Sequence, residues 1–216
     1  MELQKVQKFT KTVTLLLPIF YAVGVLFHML EATFPLMLVL TPYTIGATAL
    51  IGFYPDIARR NGKLLLWALL TFLCTLALEI LGVATGLVFG EYVYGGTLGF
   101  SVAKVPVLIG INWTLIIMGS LALVKRLVTN SWLIALGTAT VTVVFDWIME
   151  PVAIALDYWT WAAIDIPLQN YIAWFIIAFL FARIHEAMKL KSVSTISSLI
   201  VIVQAIFFLM LRLFVI

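Results

Sequence analysis

The stretch Val141-Thr142-Val143-Val144-Phe145-Asp146-Trp147-Ile148-Met149-Glu150-Pro151 sets two carboxylates near the end of a segment apolar enough to cross a bilayer. A charge at membrane depth is costly and marks a functional position by default. A spacing of four puts Asp146 and Glu150 on one helical face. Thr138 and Thr142 extend that face backwards, so one polar stripe runs along an apolar helix. A purely structural reading stands beside this one, in which the two acids pair with Lys104 or with an indole N–H. Pro151 is expected to end the helix, which leaves the direction of Glu150 open.

Composition extends the membrane reading to the whole chain. It has 216 residues, 64% of them hydrophobic and 11% charged, and a mean hydropathy of +1.16. A soluble domain of this size cannot hide so much apolar surface, whereas an integral membrane protein can. The single cysteine, Cys74, lies in an apolar run, so neither a disulfide framework nor a thiolate metal site is expected. The net charge of +3 is small, and no basic patch interleaves with exposed aromatics, so nucleic acid is not an expected partner. Lys5, Lys8 and Lys11 precede the first apolar run without a small-residue cleavage site after it, which favours an anchored span over a signal peptide.

Seven segments read as spans, near 12–30, 33–53, 63–86, 100–124, 132–149, 168–188 and 195–215. The second is interrupted by Pro35 and Pro42. The stretches 87–99 and 152–167 read as loops. An all-α integral membrane protein is expected, a bundle of about seven transmembrane helices forming a single polytopic domain over 1–216. With the N-terminus cytoplasmic, one side collects Lys5, Lys8, Lys11, Arg59, Arg60, Lys63, Lys125, Arg126, Arg183, Lys189 and Lys191, and the other holds only Lys104 and Arg212. That bias obeys the positive-inside rule, places the C-terminus outside, and makes the chain a multi-pass protein of the cell membrane. Glu31, Glu79, Glu91, Asp146, Glu150, Asp157 and Asp165 fall in the outer half. A functional outer cavity explains this, and so does ordinary loop solvation of Glu91, Asp157 and Asp165.

Other polar residues align with the Asp146 stripe. Thr71, Thr75, Glu79, Gly82 and Gly86 share one face of the third span, and Tyr21, Gly24, His28 and Glu31 share one face of the first. Asn112 lies beside Trp113 in the fourth span. The sixth opens with Gln169 and Asn170 and carries Trp174 one turn later. Glu79, Asp146, Glu150, His28, Asn112 and Asn170 all lie toward the outer leaflet and can line one pocket. The bland readings are close helix packing for Gly82 and Gly86, a satisfied interfacial role for His28, and an interfacial belt for Trp147, Tyr158, Trp159 and Trp161. No metal site is expected, because no second histidine stands at ligand spacing from His28 and His185 belongs to the opposite side.

The chain has no P-loop, dinucleotide fingerprint or nucleophile elbow, so no cofactor is expected. Carboxylic acids and aromatics in an apolar setting remain. A neutral carboxylic acid can protonate a weakly basic group, and an ionised neighbour can orient or deprotonate water. Indole and phenol faces stabilise a cation. Together these groups suit acid-catalysed hydration or isomerisation of an electron-rich alkene in a lipid-soluble isoprenoid.

The run Glu79-Ile-Leu-Gly82-Val-Ala-Thr85-Gly86-Leu-Val-Phe89-Gly90-Glu91-Tyr92-Val-Tyr94 resembles the E-x-x-G-x-x-T-G-x-x-F-G-x-Y-x-Y signature of carotenoid biosynthesis proteins of the CruF type. Pro106 with Asn112-Trp113, Asp146-x-x-x-Glu150-Pro151-x-Ala153 running to Trp159-x-Trp161, and Ile166-Pro167-Leu-Gln-Asn170-Tyr-Ile-Ala-Trp174 follow in the same order. The resemblance covers roughly 75–175, while the first two spans and the last carry little of it. It implies a carotenoid 1,2-hydratase or bisanhydrobacterioruberin hydratase, a carbon–oxygen lyase (hydro-lyase). Such an enzyme adds water, without a cofactor, to the terminal double bond of an acyclic carotenoid end. Members act on γ-carotene or lycopene-type ends in bacteria and on bisanhydrobacterioruberin in haloarchaea.

On this reading the catalytic candidates are Asp146, Glu150 and Glu79, with Asp146 as first choice for the proton donor. The substrate-binding candidates are Glu91, Tyr92, Tyr94, Asn112, Trp113, Trp147, Tyr158, Trp159, Trp161, Asn170 and Trp174. The expected partners are a carotenoid substrate, water and membrane lipids. Small residues on several spans permit a homodimer or association with other carotenoid-pathway enzymes. A non-catalytic lipid or polyene carrier and an isoprenoid isomerase or cyclase are the alternatives. A retinal photoreceptor is disfavoured because 195–215 contains no lysine for a Schiff base.

Overall fold

A computed structural model describes residues 2–190 and 195–216. Among the described residues, seven helices are long and apolar enough to cross a membrane. They are α1 (Glu2–Met29), α2 (Phe34–Ala58), α3 (Gly62–Thr85), α4 (Val107–Val124), α5 (Ser131–Ala155), α6 (Leu168–Ala187) and α7 (Thr195–Phe214). Four short strands lie in the connections: β1 (Tyr92–Tyr94), β2 (Ser101–Val102), β3 (Val105–Pro106) and β4 (Trp159–Trp161).

α4 is the core helix. Nearly every residue from Ile109 to Val124 is buried, with α7, α5, α3 and α2 packed around it. It is apolar all round, as a helix with no lipid-facing or solvent-facing side should be. The other helices expose one apolar face outward, with Leu15, Leu50, Leu69, Val144 and Leu213 among the large exposed side chains. A belt of this kind matches a bilayer rather than water.

Several element boundaries differ from the sequence reading. The fourth helix begins at Val107 rather than near residue 100, because 101–106 folds into the β2–β3 hairpin. Ala103 and Lys104 turn that hairpin with positive φ. The prolines of α2 do not break it: Pro35 sits in its first turn, and Pro42 and Pro55 lie inside it. Membrane helices tolerate such breaks where neighbours re-satisfy the freed groups.

Pro151 does not end α5, which continues to Ala155. Proline at 151 removes the N–H that would bond the Trp147 carbonyl. The Arg212 guanidinium of α7 donates to that carbonyl instead, at 3.4 Å, and lies over the Trp147 ring at 4.7 Å. Continuing the helix keeps Glu150 on the same buried face as Asp146.

The two stretches read as loops are partly ordered into one ribbon. β1 pairs antiparallel with β4, in the register Tyr92↔Trp161, Val93↔Thr160 and Tyr94↔Trp159. Backbone bonds bracket the pair, from Gly95 N–H to Tyr158 O at 3.0 Å and from Ala162 N–H to Glu91 O at 2.9 Å.

At the opposite end of the bundle basic residues gather. Lys125 pairs with Glu186 at 2.6 Å. Arg183 lies over the Trp132 ring at 3.8 Å and donates to Ser131 Oγ at 3.0 Å. Lys191, counted above on this side, lies outside the described residues.

Candidate active site

The C-terminal ends of α3 and α5 and the N-terminal ends of α4 and α6 meet at one end of the bundle, beneath the β1–β4 ribbon. Strand alternation turns Tyr92, Tyr94, Trp159 and Trp161 inward and leaves Val93 and Thr160 exposed. The inward tips carry O–H and N–H donors, and the helices below supply carboxylates to receive them.

Glu79 of α3 takes the tyrosines. Its Oε2 accepts a short bond from the Tyr92 hydroxyl and one of 2.7 Å from Tyr94. Burial, followed by the Glu79 charge, holds both phenols well above their ordinary pKa, so they remain donors. Glu150 of α5 takes the indoles: its Oε2 accepts from Trp159 Nε1 and Trp161 Nε1, each at 3.0 Å. Asn170 at the start of α6 joins the two acids of α5. Its Nδ2 donates to Asp146 Oδ2 at 2.8 Å and to Glu150 Oε1 at 3.2 Å. Asp146 Oδ1 is buried and has no partner.

None of the three acids forms an ion pair among the described residues. They are at most 3% exposed. A buried carboxylate without a cation is expensive unless hydrogen bonds compensate it. Glu79 and Glu150 are compensated in this way, whereas Asp146 is only half satisfied. Among the described residues no group of three or more His, Cys, Asp or Glu side chains is arranged to hold a metal ion.

The acids face a cavity of about 20 Å³, lined also by Phe89, Ile109, Trp113 and Trp174. That volume suffices for about one water molecule. A stack of rings forms one wall: Trp113 on Trp174 at 3.6 Å, and Trp174 on Phe89 at 5.2 Å. Gly82 makes room for it, since a Cβ there would stand 2.7 Å from Phe89 Cδ2. Its smallness therefore admits a loop aromatic rather than a second helix. Gly86 closes α3 in the left-handed conformation, at φ 68°.

Of the residues singled out from the sequence, Glu79, Asp146, Glu150, Tyr92, Tyr94, Trp113, Trp159, Trp161, Asn170 and Trp174 surround this cavity. Asn112, Tyr158 and His28 do not; they line an adjoining apolar slot of about 280 Å³ that shares Ile109 and Trp159 with the acid cavity. Glu91 lies in an exposed cleft on the far side of the ribbon. Trp147 lines neither the cavity nor the slot. It is 55% exposed and braced by Arg212, because a residue next to Asp146 sits about 100° round the helix from it. Phe89 and Ile109 were missed as lining residues. Phe89 already stood in the aromatic signature, but Ile109 carries no signal beyond its apolarity.

Helices long and apolar enough to cross a membrane surround a buried cluster of acids, an all-helical bundle with an internal polar site. The chain belongs to the carotenoid biosynthesis protein family, whose pattern matches residues 33–216. The match takes in the second and last helices, beyond the motif-bearing 75–175. The chain is also 29% identical over 131 residues to the bisanhydrobacterioruberin hydratase of Haloarcula japonica, an alignment covering 57% of this chain and 44% of that relative. No solved structure matches the chain.

Proposed function

We propose that the protein is a cofactor-independent carotenoid hydratase of the cell membrane, working as one domain with its N-terminus cytoplasmic and its acid cluster toward the outer leaflet. The observation that carries this reading is the acid cavity: three carboxyls without a cation, around space for about one water, beside an apolar slot. Membership of the family and the similarity to a named hydratase support the same chemistry.

The reaction balances within the cluster. Asp146, as the carboxylic acid, gives its proton to the less substituted carbon of a terminal trisubstituted alkene. The π electrons form the new C–H bond, and a tertiary cation is left at the dimethyl carbon. The Trp159 ring, which borders both the slot and the cavity, stabilises that cation. Water attacks, and the resulting oxonium gives a proton to Glu79 or Glu150. Transfer through the cluster returns a proton to Asp146. The net change is the addition of one water to form a tertiary alcohol. Asp146 is the favoured donor because its Oδ1 has no other partner.

The test is expression in cells that accumulate lycopene or γ-carotene, with extracted pigments read by mass spectrometry. One water is gained per reacted end. Asp146→Asn lowers turnover by at least about 100-fold, the scale of a lost general acid, in a protein that still accumulates and melts as a folded unit. Near-normal turnover in that variant removes Asp146 from the mechanism. Unchanged pigment with the wild type removes the hydratase reading for these substrates.

A further inference from the structure

The apolar slot has two features that point to a ligand of its own. Its outer wall is built from Phe20, Val23 and Phe27 of α1 and Leu36 and Leu40 of α2, each 40% exposed or more. Side chains that line a cavity and also reach the outer surface form its mouth, so the slot opens sideways between α1 and α2, within the apolar belt. The inner wall is Ile109 and Trp159, the partition shared with the acids. At about 280 Å³ it lies at the low end of small-molecule sites. It therefore holds one end of a long molecule and leaves the remainder outside.

The second feature is a pair of unmet acceptors. His28 is 7% exposed and Gln204 4%, and both line the slot. His28 Nδ1 bonds the Gly24 carbonyl at 2.7 Å. A carbonyl only accepts, so Nδ1 carries the hydrogen and Nε2 is left as an acceptor without a partner. Gln204 Nε2 donates to the Tyr21 hydroxyl at 3.0 Å, which leaves Oε1 as a second acceptor without a partner. A buried acceptor in an apolar cavity costs free energy until a donor meets it. Nothing in acid-catalysed hydration uses these two atoms.

We infer that the slot binds the chain of a long linear isoprenoid, which enters from the lipid between α1 and α2 and donates an O–H group to His28 Nε2. This deepens the hydratase reading and rests on it for the reacting end, but binding is separable from turnover. The probes are an acyclic polyene hydrocarbon of the lycopene type and the same polyene bearing one tertiary alcohol, each added to the purified protein in lipid nanodiscs. The readout is induced circular dichroism in the visible band, which an achiral polyene lacks in lipid and acquires in a protein slot.

The expected result is saturable dichroism with the wild type and with Asp146→Asn, and tighter binding of the alcohol by about 3- to 10-fold, the worth of one net hydrogen bond. Gly24→Phe and Thr44→Phe, which fill the slot from α1 and α2, weaken both probes by about tenfold or more while the melting temperature holds. The two variants act from different helices, so a folding defect in one leaves the other as the test. His28→Phe keeps the hydrocarbon and loses the preference for the alcohol. Full dichroism in both filled variants overturns the slot, and equal affinity of Asp146→Asn, which does not convert one probe into the other, for the two probes overturns the O–H contact. Binding without any gain of water in product analysis leaves the slot standing and brings down the hydratase reading instead.

Discussion

Glu150 and Asp146 differ in how they are held, and the roles proposed for them follow that difference. Glu150 Oε2 accepts two indole N–H bonds, whereas Asp146 Oδ1 accepts none. The indole bonds hold a buried acid in place and so belong to stability as well as to chemistry. Hydrogen bonds to a charged group contribute roughly 1.5–3 kcal/mol each. Trp161→Phe keeps a smaller aromatic ring and deletes one donor. It is expected to destabilise the protein by roughly 1–3 kcal/mol, read as a fall of about 2–4 °C in Tm per kcal/mol for a chain of this size. An unchanged melting temperature would mean that the indole bond to Glu150 adds nothing net. The structural and functional readings of the two acids, opposed at the level of sequence, thus divide between them: Glu150 has the indole partners and Asp146 the free oxygen.

At the scale of elements, the β1–β4 ribbon holds the donors in register. Its alternation points two phenols at Glu79 and two indoles at Glu150, and its outward residues, Val93 and Thr160, touch neither acid. Ladder bonds flank the pair two residues away on each side, so Val93 and Thr160 occupy the next hydrogen-bonded position. Thr160→Pro removes a ladder donor from an exposed site. It is expected to lower hydration by about tenfold or more through misplacement of Trp159 and Trp161, a displacement on the order of 1 Å being enough for such losses. Thr160→Val, which keeps the N–H, is expected to turn over like the wild type, and pigment assays on the two variants check the pair. An indole partner for the acids was legible before folding, but the ribbon that supplies it was not. The aromatic residues stood out, but 87–99 and 152–167 carry glycines and acids that read as loop. A three-residue pairing between segments some 65 positions apart has no local signature.

At the scale of the whole molecule, the seven helices place a basic end opposite the acid cluster. Arg59, Arg60, Lys63, Lys125, Arg126 and Arg183 fall at one end and Asp146, Glu150 and Glu79 at the other. Positive-inside bias predicts which end faces the cytoplasm. In a Cys74→Ala background, a cysteine at Asp165 is expected to react with an impermeant thiol reagent in intact cells, and one at Arg60 only after permeabilisation. The reverse pattern would invert the topology and put the acid cluster on the inner side.

Hydropathy, charge bias and the spacing of the stripes were enough to read the number of helices, the buried acids that line the cavity and the end at which they collect, because these depend on local composition and on the pitch of a helix. Folding alone decided which aromatics face the acids. Trp147 turns to the outside and Trp159 to the inside, although both are indoles close to the same carboxylates, because one lies on the far face of α5 and the other on a strand paired with β1. The continuation of α5 through Pro151 also needed a partner from the far end of the chain, Arg212, to take the carbonyl that proline leaves free. The slot beside the cluster arises only where five separate helices meet, and such a space is a property of packing that no stretch of the sequence contains.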